Sequence, residues 1–172
     1  MEHPAEIISL QEASWAEFRA LRLRALREEP QAFGQSYEVA RAFPDAFWES
    51  RFLEVADGGS WLMCAKIDHQ LVGMVGAFQT DDDRSQRRAT VFGTYVDAAV
   101  RGRGIGRQLL AALLDQLVQV DRVTVARLGV NAEQAAAVHL YREAGFHVIG
   151  EGSVTLGDGL LHRELIMEKM VR

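Results

Sequence analysis

Cysteine is nearly absent: the 172-residue chain has one, Cys64, which excludes an internal disulfide and a cysteine-built metal cluster. Its setting, Trp61-Leu62-Met63-Cys64-Ala65, is that of a small buried hydrophobe rather than a nucleophile. No Cys/His spacing suggests a metal site. No apolar run approaches the length that spans a bilayer, so no membrane partner is expected. The N-terminus lacks the basic start and apolar core of a secretory leader, and a cytoplasmic protein is the resulting expectation. Basic charge is not in excess: 19 lysines and arginines face 24 acids, for a net charge of −5. That balance weighs against general nucleic-acid binding, which depends on neutralising many phosphates. No repeat, low-complexity tract or linker divides the chain, and its length suits a single domain over residues 1–172.

What the chain does have is a glycine-basic stretch, Val100-Arg101-Gly102-Arg103-Gly104-Ile105-Gly106-Arg107, that runs straight into a helical pattern. Glycine tolerates positive φ and lets a ligand approach the backbone. Free N–H groups at a helix start form a concave anion site, which the helix dipole favours further. Arg101, Arg103 and Arg107 add positive charge, so the stretch reads as a phosphate cradle. Two familiar cradles are excluded. The dinucleotide pattern G-x-G-x-x-G needs glycine at position 107, which is Arg, and no G-K-[ST] follows.

Periodicity supplies the frame. Glu6 to Leu10 reads as a strand, and Ser14 to Glu28 as an amphipathic helix whose arginines cover its polar side. Pro30 and Gly34 break that helix, Pro44-Asp45 opens a second, and Asp57-Gly58-Gly59 closes it. Strands Trp61–Ile67 and Leu71–Phe78 flank the tight connection Asp68-His69-Gln70. Thr80 to Arg88 reads as loop and Ala89 to Val96 as strand. Leu109, Leu110, Leu113, Leu114, Leu117 and Val118 trace one face of a third helix. Val123 to Val130 is a buried strand, and Asn131 is placed as N-cap of an alanine-rich helix that Gly145 ends. Phe146–Gly150 and Leu161–Met170 are the last strands, around a turn at Asp158-Gly159. The result is an α/β fold: a mixed sheet of about seven strands flanked by four helices.

Two blocks resemble the GNAT (N-acetyltransferase) superfamily over nearly the full length. Arg101 to Gly106 matches the family's R/Q-x-x-G-x-G/A motif, and Asn131 to Phe146 is similar to its N…A…LY…GF segment. The resemblance implies a mostly antiparallel sheet, acetyl-CoA as co-substrate, and direct acetyl transfer to an amine of a small molecule or protein in a ternary complex. It implies that Val96, Arg101, Gly102, Arg103, Gly104, Ile105, Gly106, Arg107, Asn131 and Tyr141 contact the cofactor. The Val96 N–H would polarise the carbonyl, and Tyr141, a phenol protonated at neutral pH, would protonate the departing thiolate. Asn131 would hold the cofactor's amide arm or serve only as a helix cap. Relatives are often dimers, so a homodimer belongs to the same expectation. A non-catalytic acyl-CoA sensor is the alternative.

Many relatives carry a Glu six residues before the position of Val96, as general base; here Thr90 stands there, which cannot do that work near neutral pH. Glu38, Asp97, His139 and backbone-held water are the replacements considered, and His147 and His162 make no better case. By the same resemblance the acceptor wall maps to residues 28–37 with Tyr95, making Phe33, Tyr37 and Tyr95 its lining. Glu28, Glu29 and Glu38 would attract a cationic amine.

Overall fold

The computed structural model describes residues 3–56 and 58–172. Asp57, placed by the sequence in the turn after the second helix, lies outside them.

Helix α1, Trp15–Glu28, starts on a reciprocal cap: the Ser14 hydroxyl accepts from the Glu17 N–H, and the Glu17 carboxylate accepts from the Ser14 N–H at 2.8 Å. It buries Phe18, Leu21, Ala25 and Leu26. Strands β1 (Glu6–Ser9), β2 (Ser60–Ile67) and β3 (Gln70–Phe78) form an antiparallel edge of the sheet. Alternation along β2 sends Leu62 and Cys64 to one face and Met63 and Ala65 to the other. Both faces are covered, which is why β2 and β3 read as nearly continuous apolar runs. One face carries α1 and α3 (Asp45–Ala56); the other carries α5 (Ile105–Val118) and α6 (Ala135–Glu143). Burial, with Glu17 nearby, pushes the Cys64 thiol up to about 12, which makes it inert.

The seven strands lie in the order β1-β2-β3-β4-β5-β7-β6, with β4 at Arg88–Val96, β5 at Val125–Asn131, β6 at His147–Thr155 and β7 at Leu161–Met170. Every pairing is antiparallel except β4 with β5. That parallel ladder runs only from Arg88↔Val125 to Thr90↔Arg127. Beyond it the two strands diverge, and a V-shaped gap opens in the middle of the sheet. A bulge adds to the divergence: Gly76 faces Phe92 but Met74 faces Tyr95, so β4 carries one extra residue, and Gly93 there has φ +69°.

The sequence reading departs from the structure in several places. Thr80 to Arg88 is not all loop, because α4 spans Asp81–Ser85 behind a Thr80–Asp83 capping box. A short α2 occupies Tyr37–Arg41. The β6 strand continues to Thr155 rather than stopping at Gly150; as an edge strand pairing only with β7, it needs no apolar face.

Candidate active site

The glycine-basic stretch closes the wide end of the gap. Gly102 and Gly104 have φ +79° and +76°, and nothing lies within 4 Å of where a side chain would begin on either. Both therefore need glycine for the backbone turn, and both leave open space above it. Gly104 occupies the N-cap position of α5, so the first N–H groups of a 14-residue helix point out of the loop. The arginines are less free than the sequence implies. Arg107 pairs with Glu143 at 2.8 Å and holds that carboxyl below its usual range. Arg101 folds back: its Nε donates to the Val96 carbonyl at 2.9 Å and its Nη2 to Glu29 at 2.7 Å.

Between β4 and β5 lies a cleft of about 250 Å³, lined by Thr94 and Val96 from one strand and Gly129 to Asn131 from the other. The Asp97 N–H bonds to Val72 on β3, at 2.7 Å. Alternation therefore turns the Val96 N–H the opposite way, toward the gap. Gly106, Leu140 and Tyr141 line the cleft from the α5–α6 side. Tyr141 is buried; its hydroxyl donates to Thr94 Oγ1 at 2.8 Å, and its ring meets Phe146 edge-on at 5.9 Å. Burial raises its pKa above that of an ordinary phenol, against a smaller lowering by Thr94.

The opposite wall is stitched from three segments. The Gly157 N–H of the β6–β7 turn donates to the Phe33 carbonyl at 2.7 Å, and a Cβ at Gly157 would stand 2.7 Å from the Gln35 carbonyl oxygen. Asn131 is not the N-cap of α6, a position that falls to Gln134. It is the last residue of β5, with its Oδ1 accepting from the Glu133 N–H and its Nδ2 donating to the Gln31 carbonyl at 3.0 Å. These side-chain bonds favour continuing the strand into a wall contact over starting a helix there. Phe33 and Tyr95 line the cleft; Tyr37 is not among its lining and packs with the α1 core instead. The Tyr95 hydroxyl donates to Glu28 at 2.7 Å, and burial, helped by that carboxylate, pushes it up to about 12.

The description Acetyltransferase (GNAT) family matches residues 12–146. The chain belongs to that family. Acetyl transfer from acetyl-CoA to an amine is the activity that goes with membership. The acetyltransferase is 25% identical to the L-amino acid N-acetyltransferase of Escherichia coli (strain K12), over 76% of this chain and 78% of that one. It is 30% identical to a spermine/spermidine N(1)-acetyltransferase of Bacillus subtilis (strain 168), over 47% of this chain and 55% of that protein. A Salmonella typhimurium structure solved with its cofactor acetyl-CoA superposes with a TM-score of 0.80 at 18% identity, covering 98% of this acetyltransferase and 95% of that chain.

The three side chains weighed from sequence as proton acceptors all lie outside the lining of the cleft. Glu38 is exposed and paired with Arg41 at 2.7 Å. Asp97 caps Ala99 and faces Arg24 at 3.3 Å; His139 is exposed beside Glu143. A carboxylate does reach Thr90: Asp83 accepts from its hydroxyl at 3.1 Å. Burial acts to raise the Asp83 pKa, but hydrogen bonds from Thr80, Arg88 and Thr90 outweigh it and hold the carboxyl below its usual range, so it is a poor base. In His162, Nε2 faces Asp158 at 2.7 Å and Nδ1 receives the Asn131 amide at 3.2 Å, so neither nitrogen is available.

One carboxylate lines the cleft among the described residues, and another lies beside a lining residue. Glu29 lines it but is tied to Arg101 and Gln31. Glu164 of β7 lies across Gly129, whose missing Cβ would sit 2.0 Å from Glu164 Oε1. Burial alone raises the Glu164 pKa. Sequence reading missed it because one charged residue in a β-strand looks like any surface carboxylate.

Proposed function

We propose that the cleft carries out direct acetyl transfer to a primary amine in a ternary complex, inside a single domain and in the cytoplasm. The observation that supports this best is the conjunction of the two-glycine loop with Tyr141 and Thr94 in one gap of the sheet.

Acetyl-CoA supplies an activated thioester and a pyrophosphate by which to hold it. The residues present suit that donor: Gly102 and Gly104 leave open a cradle that any Cβ would narrow. In this reading, the N–H groups from Gly102 to Arg107, with the side chains of Arg103 and Arg107, bind the pyrophosphate. Arg101 leaves the Val96 carbonyl and Glu29 and turns to the phosphates, freeing the β4 edge for the pantetheine amides. The Val96 N–H takes the charge that develops on the carbonyl oxygen. Asn131 positions the wall through Gln31 rather than through a cofactor contact.

The proton path uses the two groups that burial has tuned. Glu164 takes the proton of the attacking amine as the new carbon–nitrogen bond forms. Tyr141 gives its proton to sulfur as the carbon–sulfur bond breaks. Burial favours the protonated phenol at rest, and it makes Glu164 a better proton acceptor than an exposed carboxylate. Glu164→Gln tests the assignment: kcat falls by roughly 100-fold or more while acetyl-CoA still raises Tm. An unchanged kcat would remove Glu164 from the reaction.

A further inference from the structure

A cavity of about 660 Å³ lies on the α1–α3 side of the sheet, walled by apolar side chains that include Phe18, Trp48, Leu62, Phe78 and Phe92. Phe92 lines both this cavity and the cleft, so the two meet across β4. One cation stands at the junction. Arg22 of α1 stacks its guanidinium over the Phe33 ring, 5.0 Å from the centroid, and its Nη1 lies 3.4 Å from where a Cβ of Gly93 would be. That nitrogen is closed off from solvent and has no hydrogen-bond partner among the described residues. Two other arginines on the cavity wall are neutralised, Arg51 by Glu54 at 2.9 Å and Arg84 by Asp81 at 3.2 Å. Burial alone lowers the Arg22 pKa to about 10, with no carboxylate among the described residues to oppose it. A guanidinium held there without a counter-charge is costly unless an anion arrives to pair with it.

We propose that Arg22 receives the carboxylate of the acceptor, which is therefore an apolar amino acid: a primary amine carrying a carboxylate and an apolar side group. The proposal rests on the acetyl-transfer reading of the cleft. Its amine enters the gap past Phe92 and Gly93, its carboxylate meets Arg22, and its side group fills the aromatic-lined cavity. A polyamine would set a second cation against Arg22. A peptide N-terminus offers no carboxylate beside its amine.

The test compares L-phenylalanine with phenethylamine, the same molecule without its carboxylate, and with spermidine, following thiol release from acetyl-CoA. L-phenylalanine has the higher kcat/KM by roughly tenfold or more, the effect of one hydrogen bond to a charged group. Arg22→Met shrinks the ratio of the two aromatic substrates toward one, mainly through KM for the amino acid, and Arg22→Lys restores part of it. The lysine variant also keeps the test open should the methionine variant fail to fold. Phenethylamine or spermidine used as well as L-phenylalanine, a ratio unmoved by Arg22→Met, or turnover with no amine overturns the proposal. An acetyl-CoA thermal shift, measured separately on the wild type, tells the two failures apart. If the shift persists and another amine is acetylated, only the acceptor assignment is lost; if no amine gives thiol release, with or without a shift, the acetyl-transfer reading falls too.

Discussion

Replacing Tyr141 with Phe removes one oxygen from the centre of the cleft and little else. The ring is buried, keeps its edge-on contact with Phe146, and loses only the 2.8 Å bond to Thr94. A lost hydrogen bond of this kind costs about 1 kcal/mol, which lowers Tm by roughly 2–4 °C in a chain of this length. The kinetic cost is of a different order. A positioned general acid contributes about 10²–10⁴-fold, so kcat for thiol release falls at least about 100-fold at saturating acetyl-CoA and amine. The stability effect cannot account for that, because a variant destabilised by so little is still almost wholly folded. Acetyl-CoA should raise the variant's Tm as much as it does the wild type's, since the loop and the Val96 edge are untouched. Thr94→Val serves as the companion: it keeps the phenol and loses its partner, so its rate loss is much smaller. Turnover of Tyr141→Phe within a few-fold of wild type would refute the general-acid assignment.

Other consequences follow from neighbouring features. Gly102→Ala and Gly104→Ala force a side chain into positive φ, costing about 1–2 kcal/mol each, and raise KM for acetyl-CoA; Tm and initial rates read both. Asp83→Asn breaks an ion pair whose partners, Asp83 and Arg88, are 3% and 11% exposed; because Arg88 keeps Asp82 at 3.0 Å, stability falls by about 1–3 kcal/mol in denaturant titrations. Because the Asp83 pKa is depressed on folding, its contribution is present above its unfolded value of about 3.9 and is lost as pH falls through the lower folded value. Asp83→Asn should therefore flatten that part of the acid-denaturation curve. The raised Glu164 pKa works the other way. Its contribution is present below the unfolded value of about 4.3 and is lost as pH rises through the folded value, so Glu164→Gln is slightly more stable than wild type at neutral pH while losing the acidic limb of kcat. Gly129→Ala places a Cβ 2.0 Å from Glu164 Oε1 and displaces the same carboxylate, so it lowers kcat without touching the loop. Gly157→Ala separates the β6–β7 turn from residues 33–35 and raises KM for the amine more than for acetyl-CoA.

Much of this was legible in the sequence, and the rest was hidden for identifiable reasons. The Gly102–Gly104 loop could be read because positive φ falls on the one residue that tolerates it. The leucine face of α5 could be read because a helix repeats. The cleft itself could not: it exists because the β4–β5 ladder stops after Thr90↔Arg127, and no local signal marks where pairing ends. Helix α4 hid inside the acidic run Asp81-Asp82-Asp83, although Thr80 three residues before Asp83 was the available sign. Asn131 has the residue type of a cap, and contacts from Gln31 and Glu133, distant and local, gave it another task. Arg22 and Glu164 were out of reach for a common reason: a partly buried charge is spelled with the same letters as a solvated one, and only its neighbours distinguish the two.

The most direct test of the account is thiol release from acetyl-CoA by the purified protein in the presence of amines, with products weighed by mass spectrometry. The account predicts amine-dependent release, an acceptor heavier by one acetyl group, and loss of both in Tyr141→Phe. Binding of acetyl-CoA without amine-dependent release, and with no acetylated acceptor, would contradict it.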